Sequence, residues 1–290
     1  MRKILKHTAI TGLILFVSIA VLNGQAKGTF EVTQISNISS SSGDMAPVIM
    51  NDGILFCSNR KTNPFFTKKN LEGIRLYELY FAPFNNEGEP VSPVRFAPNL
   101  VRDANIGPAS VTADGSMLWF TRNNSEGRRL GKKQPNRLGI FTARRSDSQW
   151  TDITPFEYND PEYNFSYPFV SADGRYLFFC SDMPGGVGKY DIYMCENVDG
   201  HWTRPENLGP EVSSSSAEIH PFRHSSGRLY FASDRPDGMG GLDIWSSSLV
   251  FGSWTKPVVM DEPVNSTADD FAFYAAQGGM QGYFASNRRN

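Results

Sequence analysis

The chain has 290 residues, of which 40 % are hydrophobic and 20 % charged, so it can fold around a core and is not a disordered chain. Its formal net charge of −2 argues against a nucleic-acid-binding protein, because such proteins are usually strongly basic. Three cysteines are too few for a disulfide framework, and their spacing does not match a zinc site. The 26 glycines, 18 prolines and 13 % aromatic residues are typical of short strands separated by turns.

Residues 1–26 have the pattern of a signal peptide. Three basic residues among the first six precede a mostly apolar run from Thr8 to Leu22, and Gly24 and Ala26 place small residues before a cleavage site at Lys27. As a helix the run would be only about 22 Å long, which is short of the roughly 30 Å hydrocarbon core of a bilayer. We therefore predict an exported chain, 27–290, that is periplasmic or outer-membrane-associated, with secretion as the alternative, and that has no transmembrane segment.

Five copies of one sequence unit follow the leader. Each copy starts with a segment led by proline or an aromatic residue, continues through a turn, often Asp-Gly, and ends in an aromatic strand. A third strand is clearest at Tyr190–Met194 and Leu242–Ser246, and a tryptophan such as Trp202 opens a fourth strand. The copies lie near 46–100, 107–157, 167–210, 220–263 and 271–290.

A repeat of four strands is the pattern of a β-propeller blade, so the predicted fold is an all-β propeller of four-stranded blades. A two-sheet sandwich is the alternative, but it does not repeat one unit five times. The fifth unit stops after Arg288, before a third strand, which predicts an incomplete last blade and a C-terminally truncated chain. The segment from Phe30 to Ile38 has the pattern of a fourth strand that would complete that blade, and a propeller of six blades is the alternative for the complete protein.

The units resemble the WD40-like PD40 repeats of the TolB-type propeller group. The similarity is most specific in Ser171–Phe179, Ser233–Trp245 and Trp202–Pro210. The end of the chain, with Pro263–Phe271 and Gly282–Arg288, is similar to the propeller segment of Bacteroidetes-type envelope proteins of the OmpA family. This resemblance implies a propeller in the cell envelope and implies no catalytic residues. An OmpA-type peptidoglycan-binding domain, which often follows such a propeller, is absent from this sequence.

Two sets of charged residues recur with the repeat or cluster in its loops. We predict structural pairs at one end of the blades between acids before the first strand and arginines after the second strand: Asp44, Glu218 and Asp270 with Arg60, Arg235 and Arg288. A carboxylate-ringed ligand site is the alternative for these acids. Two long basic loops join the second and third strands of the first two units and predict a basic face that binds an anionic partner, or else two solvated loops: Lys68, Lys69, Arg128, Arg129, Lys132 and Lys133.

Other chemical motifs are weak, and we predict no bound metal or cofactor. His220 and His224 would be about 13 Å apart along a strand, too far to share a metal. Asp234, Asp237 and Asp243 flank a glycine-rich loop, where turn capping competes with a calcium site. The cysteines are predicted to be free, buried thiols. The chain lacks both a Gly-x-Ser-x-Gly nucleophile elbow and a phosphate-binding loop.

These observations predict a non-catalytic, exported propeller that binds a protein or an anionic envelope component as part of a cell-envelope assembly. Two alternatives stay open. Propellers also host carbohydrate-active enzymes, a glycosidase or lyase, and such an enzyme would need several polar groups outside the repeat pattern to converge on the central pocket. The chain can also be a degraded remnant without function.

Overall fold

The computed structural model describes residues 13–20, 29–61, 69, 73, 75–100, 104–124, 137–147, 149–276, 278 and 281–288. In these ranges the regular elements are β-strands, apart from one 3-10 turn at Pro98–Leu100. Two strands precede the first repeat, β1 (Leu13–Ala20) and β2 (Thr29–Gln34). None of the helices within these ranges is long and apolar enough to cross a membrane.

Each repeat forms one antiparallel sheet, here called a blade. Blade 1 contains β3 (Asp44–Met50), β4 (Gly53–Ser58), β5 (Glu78–Pro83) and β6 (Val94–Arg95). Blade 2 contains β7 (Ile106–Val111), β8 (Met117–Asn123), β9 (Leu138–Ser146) and β10 (Gln149–Pro155). Blade 3 contains β11 (Phe165–Val170), β12 (Tyr176–Ser181), β13 (Asp191–Val198) and β14 (His201–Trp202), with β15 (Glu206–Asn207) also paired to β13.

Blade 4 contains β16 (Glu218–Arg223), β17 (Arg228–Ser233), β18 (Asp243–Val250) and β19 (Ser253–Trp254), with β20 (Val258–Val259) also paired to β18. Blade 5 contains β21 (Asp270–Ala275) and β22 (Gln281–Ser286), followed in the sheet by β1 and then β2. The first strand of each blade contacts the first strand of the next, and β21 contacts β3. The described sheets therefore close a ring of five blades, and the prediction of an all-β propeller with four-stranded blades is confirmed.

The apolar side chains fill the spaces between neighbouring blades. The second strands are buried along most of their length because both of their faces are covered, as in β4, where every residue is buried. Phe56, Phe120, Phe179, Phe231 and Phe284 hold the same position of the repeat and are all nearly inaccessible to solvent. The aromatic residues that identify the repeat in the sequence are thus the residues that join one blade to the next.

Blade 5 takes its third strand from the N-terminal segment. The sequence predicts that this strand is missing, whereas the structure places β1 between β22 and β2. β1 lies within the apolar run that has the pattern of a signal peptide. The same apolar pattern suits a strand whose two faces are covered, which is how this run can also form a strand of blade 5. The closing strand predicted at Phe30 to Ile38 is present as β2, which spans Thr29–Gln34 and is paired in the outermost position.

Candidate functional site

Blade 1 shows how the predicted acid–arginine pairs are built. The Arg60 guanidinium lies 2.7 Å from Asp44 Oδ1, and the same nitrogen donates to the Ile38 carbonyl at 2.6 Å. Ser58 Oγ donates to Asp44 Oδ1 at 2.5 Å, and Ser40 Oγ donates to Oδ2 at 2.7 Å. The carboxylate is fully buried, so its charge is balanced by arginine and by neutral donors rather than by water.

Blades 4 and 5 repeat this arrangement. Arg235 lies 3.2 Å from Glu218, and Arg288 lies 2.5 Å from Asp270. Both carboxylates are fully buried, and burial raises the pKa of Glu218 although hydrogen bonds from Ser214 and from Arg235 oppose that shift. Blades 2 and 3 have apolar residues at this place, Ile106 and Phe165. The structure thus brings all six predicted residues together as pairs, and the acids do not form an exposed ring of carboxylates.

The candidate calcium ligands make hydrogen bonds within the protein. Asp243 Oδ2 accepts from the N–H groups of Met239 and Gly240, at 2.8 and 3.0 Å, and so fixes the glycine-rich loop. Asp234 accepts from the Ala217 N–H and pairs with Lys189 Nζ at 3.1 Å, while Asp237 is exposed. Across the part of the chain that the structure describes, three or more metal-ligating residues do not gather at any point.

Most of the predicted basic face lies outside the described residues. This applies to Lys68, Arg128, Arg129, Lys132 and Lys133. Lys69 is exposed and forms a β-bridge with Arg75. Both ends of the second basic loop are held in place, since Arg122 lies over the Phe141 ring at 4.0 Å and Arg137 lies 3.6 Å from Asp182. Whether the loops form one binding face stays a prediction.

The first strands of all five blades surround a pocket at the ring axis, which we call the axial pocket. It is a small, open pocket with a volume of about 40 Å³ and is one of the concave places on the described surface. Every first strand has a β-bulge at the same repeat position, and the bulged residue has a positive φ. These five residues lie directly before a proline or, in blade 5, before Phe273: Ala46, Gly107, Tyr167, His220 and Ala272.

Prolines and aromatic rings line the axial pocket. Tyr274 packs on Phe222 with ring centroids 4.3 Å apart, and Phe222 packs on Phe169 at 5.3 Å. The other lining residues include Pro47, Pro108, Pro168 and Pro221. The sequence analysis does not predict the axial pocket. The prolines and aromatic residues that recur in the first strands are the pattern from which it could have been predicted.

The titratable groups of the axial pocket are uncharged near neutral pH. Burial lowers the pKa of His220 to about 3, and its ring lies against Tyr167 with centroids 4.2 Å apart. Burial also raises the pKa of Tyr167 and raises that of Tyr274 to about 12. His224 points elsewhere, with its ring nitrogens bonded to Ser226 Oγ at 2.8 Å and to the Ala276 carbonyl at 3.1 Å. The two histidines are thus separate, as their spacing along a strand predicts.

The three cysteines are free, buried thiols. Cys57 and Cys180 hold the same position in the second strands of blades 1 and 3, and burial raises the pKa of both. A backbone N–H of His220 bonds to the Cys180 thiol. A Cβ atom at position 107 would overlap Cys57 Sγ, so glycine is required there by space as well as by its φ of 100°.

No protein-family model matches the chain, and no curated protein matches it. Among solved structures, TolB from Acinetobacter baumannii is 14 % identical with a TM-score of 0.47; the match covers 96 % of this chain and 64 % of that protein. A putative TolB from Agrobacterium tumefaciens is 16 % identical (TM-score 0.46), covering 95 % and 98 % of the two chains. A Dyadobacter fermentans protein of unknown function is 13 % identical (TM-score 0.49), covering 90 % and 81 %. With TM-scores below 0.5, these similarities assign neither a function nor a site.

Proposed function

We propose that this chain is an exported, non-catalytic propeller that binds a protein or an anionic envelope component within a cell-envelope assembly. The observation that carries the proposal is the lining of the axial pocket. The lining consists of prolines, aromatic rings, small apolar side chains and one neutral imidazole, and the first strands of all five blades contribute to it. Such a pocket favours a neutral apolar or aromatic group of a partner.

The charges of the described residues support binding rather than catalysis. General acid–base chemistry needs a titratable side chain of suitable pKa within hydrogen-bond reach of the proton that is transferred. In blades 1, 4 and 5 the buried carboxylates are instead held by arginines that are at most 17 % exposed. The pocket groups His220, Tyr167 and Tyr274 have pKa values that burial moves away from neutrality. An axial pocket of this composition can hold a ligand, but it offers no charged group to a reaction.

Export rests on residues 1–26, which have the basic start, apolar run and small residues of a leader. Envelope localisation would bring the basic loops within reach of anionic envelope components. Those loops would supply steering, whereas the axial pocket would supply a contact at short range. The two surfaces therefore define two separable parts of the proposed function.

The test is co-purification from a solubilised envelope fraction, with the natural chain compared with a variant whose pocket is filled. Val48 lines the axial pocket, so Val48→Phe should abolish enrichment of a specific partner. Because Val48 is also part of the buried core, the larger ring should lower the thermal unfolding midpoint, and the capture is compared at a temperature where both chains are folded. Val258→Phe is the matched control, because Val258 is exposed on the outer strand β20. Equal enrichment with all three chains, or hydrolysis of envelope glycans by the natural chain, would contradict the proposal.

A further inference from the structure

The hairpin that joins the third and fourth strands of blade 4 carries exposed apolar side chains. The turn between β18 and β19 has two residues, Phe251 and Gly252. Phe251 is fully exposed, and nearly half of Leu249 and of Val250 is exposed. We call residues 249–252 the blade 4 tip. Contiguous exposed apolar side chains often mark an interaction site, whereas single ones are normal on a protein surface.

The equivalent hairpins of blades 2 and 3 have the same register and a more polar tip. In each of the three blades, two paired residues flank a turn of two residues: Ser146 with Gln149, Val198 with His201, and Val250 with Ser253. In blades 2 and 3 the residues at the three apolar positions of the tip are mostly polar: Arg145, Ser146, Asp147, Asn197, Val198 and Asp199. The fold therefore accepts polar residues at these positions, and the apolar residues of the blade 4 tip are not needed to form the hairpin.

The backbone of the turn makes phenylalanine an unfavourable residue at position 251. Phe251 and Gly252 both have a positive φ, of 49° and 83°, which is the pattern of a type I′ turn. Such turns favour Asp-Gly or Asn-Gly, and blade 3 has Asp199 and Gly200 at φ values of 52° and 85°. A bulky aromatic residue with a positive φ is a strained outlier, and the exposed ring gains nothing from the core. Because neither the backbone nor the core favours this residue, its presence indicates a role in binding.

The end of blade 4 that carries the tip is basic. Two sequence segments contribute to this end, 222–232 and 244–260, and neither contains an aspartate or a glutamate. Arg228 and Lys256 are exposed in these segments. The surface around the tip thus combines apolar and positively charged side chains, which is the composition that binds the surface of an anionic lipid bilayer.

The two basic residues lie at a fixed depth behind the tip. Arg228 is opposite Ser248 in the neighbouring strand, and the Thr255 N–H, directly before Lys256, donates to the Ser248 carbonyl from the other side. Phe251 follows Ser248 by three residues, or about 10 Å at roughly 3.4 Å per residue. Apolar groups that bind at a bilayer surface are buried about 5–10 Å into the boundary between headgroups and acyl chains. With Phe251 at that depth, the two basic side chains lie at the level of the phosphate groups.

The tip is apolar on both faces of the hairpin, which favours a bilayer over a folded protein as its partner. Successive side chains of a strand point to opposite faces, so Val250 is exposed on one face and Leu249 on the other. A folded partner would cover one face of so narrow a projection, whereas lipid surrounds it. Trp254 packs against the core at the base of the hairpin, so the tip projects from a fixed support.

We propose that the blade 4 tip is a membrane-anchoring site, which inserts its three apolar side chains into the surface of a bilayer of anionic phospholipids while Arg228 and Lys256 bind the phosphate groups. The site is separate from the axial pocket, which the first strands line. It is also separate from the basic loops, because a third strand runs from the second-to-third-strand loop at one end of its blade to the tip at the other end. The proposal therefore goes beyond the proposed function and does not depend on it.

The experiment measures sedimentation of the full chain with vesicles of phosphatidylcholine alone and of phosphatidylcholine with about one-third phosphatidylglycerol. The natural chain should bind the anionic vesicles. Phe251→Asp should weaken this binding at least about tenfold, because burial of a phenylalanine ring contributes that much to its transfer from water. The same variant should be at least as stable as the natural chain in a denaturant titration, so a loss of binding is not a loss of folding.

Val94→Asp is the matched control, since Val94 is an exposed valine on β6 of blade 1 and the substitution makes the same change of charge. This variant should bind the anionic vesicles as the natural chain does. Arg228→Gln combined with Lys256→Gln should weaken binding to the anionic vesicles about 20-fold and leave binding to the neutral vesicles unchanged. All of these chains share residues 1–26, so a difference between them reports on the substituted position whether or not the leader is removed.

Insertion itself is measured with an environment-sensitive fluorophore on Phe251→Cys, because the three native thiols are buried. Its emission should shift to the blue with anionic vesicles, whereas the same label on Val94→Cys should not shift. Equal vesicle binding by the natural chain and Phe251→Asp, or an unshifted label at position 251, would overturn the proposal. Absence of vesicle binding would also overturn it, and loss of an envelope protein from the Phe251→Asp chain would then assign the tip to a protein partner.

Discussion

Replacement of His220 should change how the stability of the protein depends on pH. Its imidazole is 8 % exposed and packs against Tyr167 and Phe271, and burial lowers its pKa to about 3. In the unfolded chain a histidine has a pKa of about 6.5, so the unfolded state binds a proton at a higher pH than the folded state. The stabilisation is therefore complete above pH 6.5 and is lost as the pH falls towards the folded pKa.

The expected loss from this one group is about 1.4 kcal/mol for each pH unit below 6.5, or about 2 kcal/mol at pH 5. His220→Phe keeps a ring at this position and removes the proton site. Urea unfolding at pH 7, 6 and 5 should show a steeper decline for the natural chain than for the variant. His201→Asn, at an exposed position, is the control and should follow the natural chain. Parallel curves for the natural chain and His220→Phe would refute the assignment of a buried, neutral imidazole.

Three further outcomes follow from local geometry and charge. Serine at Arg128, Arg129, Lys132 and Lys133 should weaken capture of anionic envelope components at low salt, with a smaller difference at 1 M salt, where the Debye length is about 3 Å. In a denaturant titration, Arg60→Met should lower the free energy of unfolding by about 3–5 kcal/mol, because it leaves the Asp44 carboxylate buried without its arginine. Adding Asp44→Asn to that variant should restore part of the lost free energy. Phe251 is fully exposed at a φ of 49°, and Asp199 holds the equivalent turn position of blade 3 at a φ of 52°. Aspartate tolerates this left-handed conformation better than phenylalanine does. Phe251→Asp should therefore stabilise the fold by about 1 kcal/mol, and Asp199→Phe should destabilise it by a similar amount in the same assay.

The sequence predicts those features that the repeat itself encodes. Phe179 and Phe231 recur because each blade must cover its neighbour, so their spacing indicates the fold without any knowledge of contacts. Asp270 and Arg288 could likewise be paired from the sequence, since the ends of two adjacent antiparallel strands must meet. In both cases residues that are close in the repeat unit form the predicted structure, so the sequence pattern is sufficient to predict it.

The axial pocket and the third strand of blade 5 are not encoded in this way. The pocket depends on five bulges, and the sequence around His220 or Tyr167 does not show that a residue there has a positive φ. For β1, an apolar run satisfies the requirements of a leader and of a strand covered on both faces, so composition alone cannot distinguish them. The structure supplies the missing information, because it places β1 between β22 and β2 in the sheet of blade 5.

Gly107 and Cys57 give a test of how neighbouring blades fit together. Gly107→Ala should destabilise the protein, because the added Cβ atom would overlap Cys57 Sγ and the φ of 100° is unfavourable for alanine. At the same repeat positions the pairs Ala46 with Ala285 and Ala272 with Ala232 show that two alanines fit elsewhere in the ring.

The double variant Cys57→Ala, Gly107→Ala should therefore be more stable than the sum of the two single changes, by about 0.5–3 kcal/mol in a denaturant double-mutant cycle. The single change Cys57→Ala serves as the control for the loss of the thiol itself. Additive effects would show that backbone conformation alone requires glycine at position 107. A coupling of the expected sign would show that the Cys57 thiol contributes to the requirement for glycine at position 107.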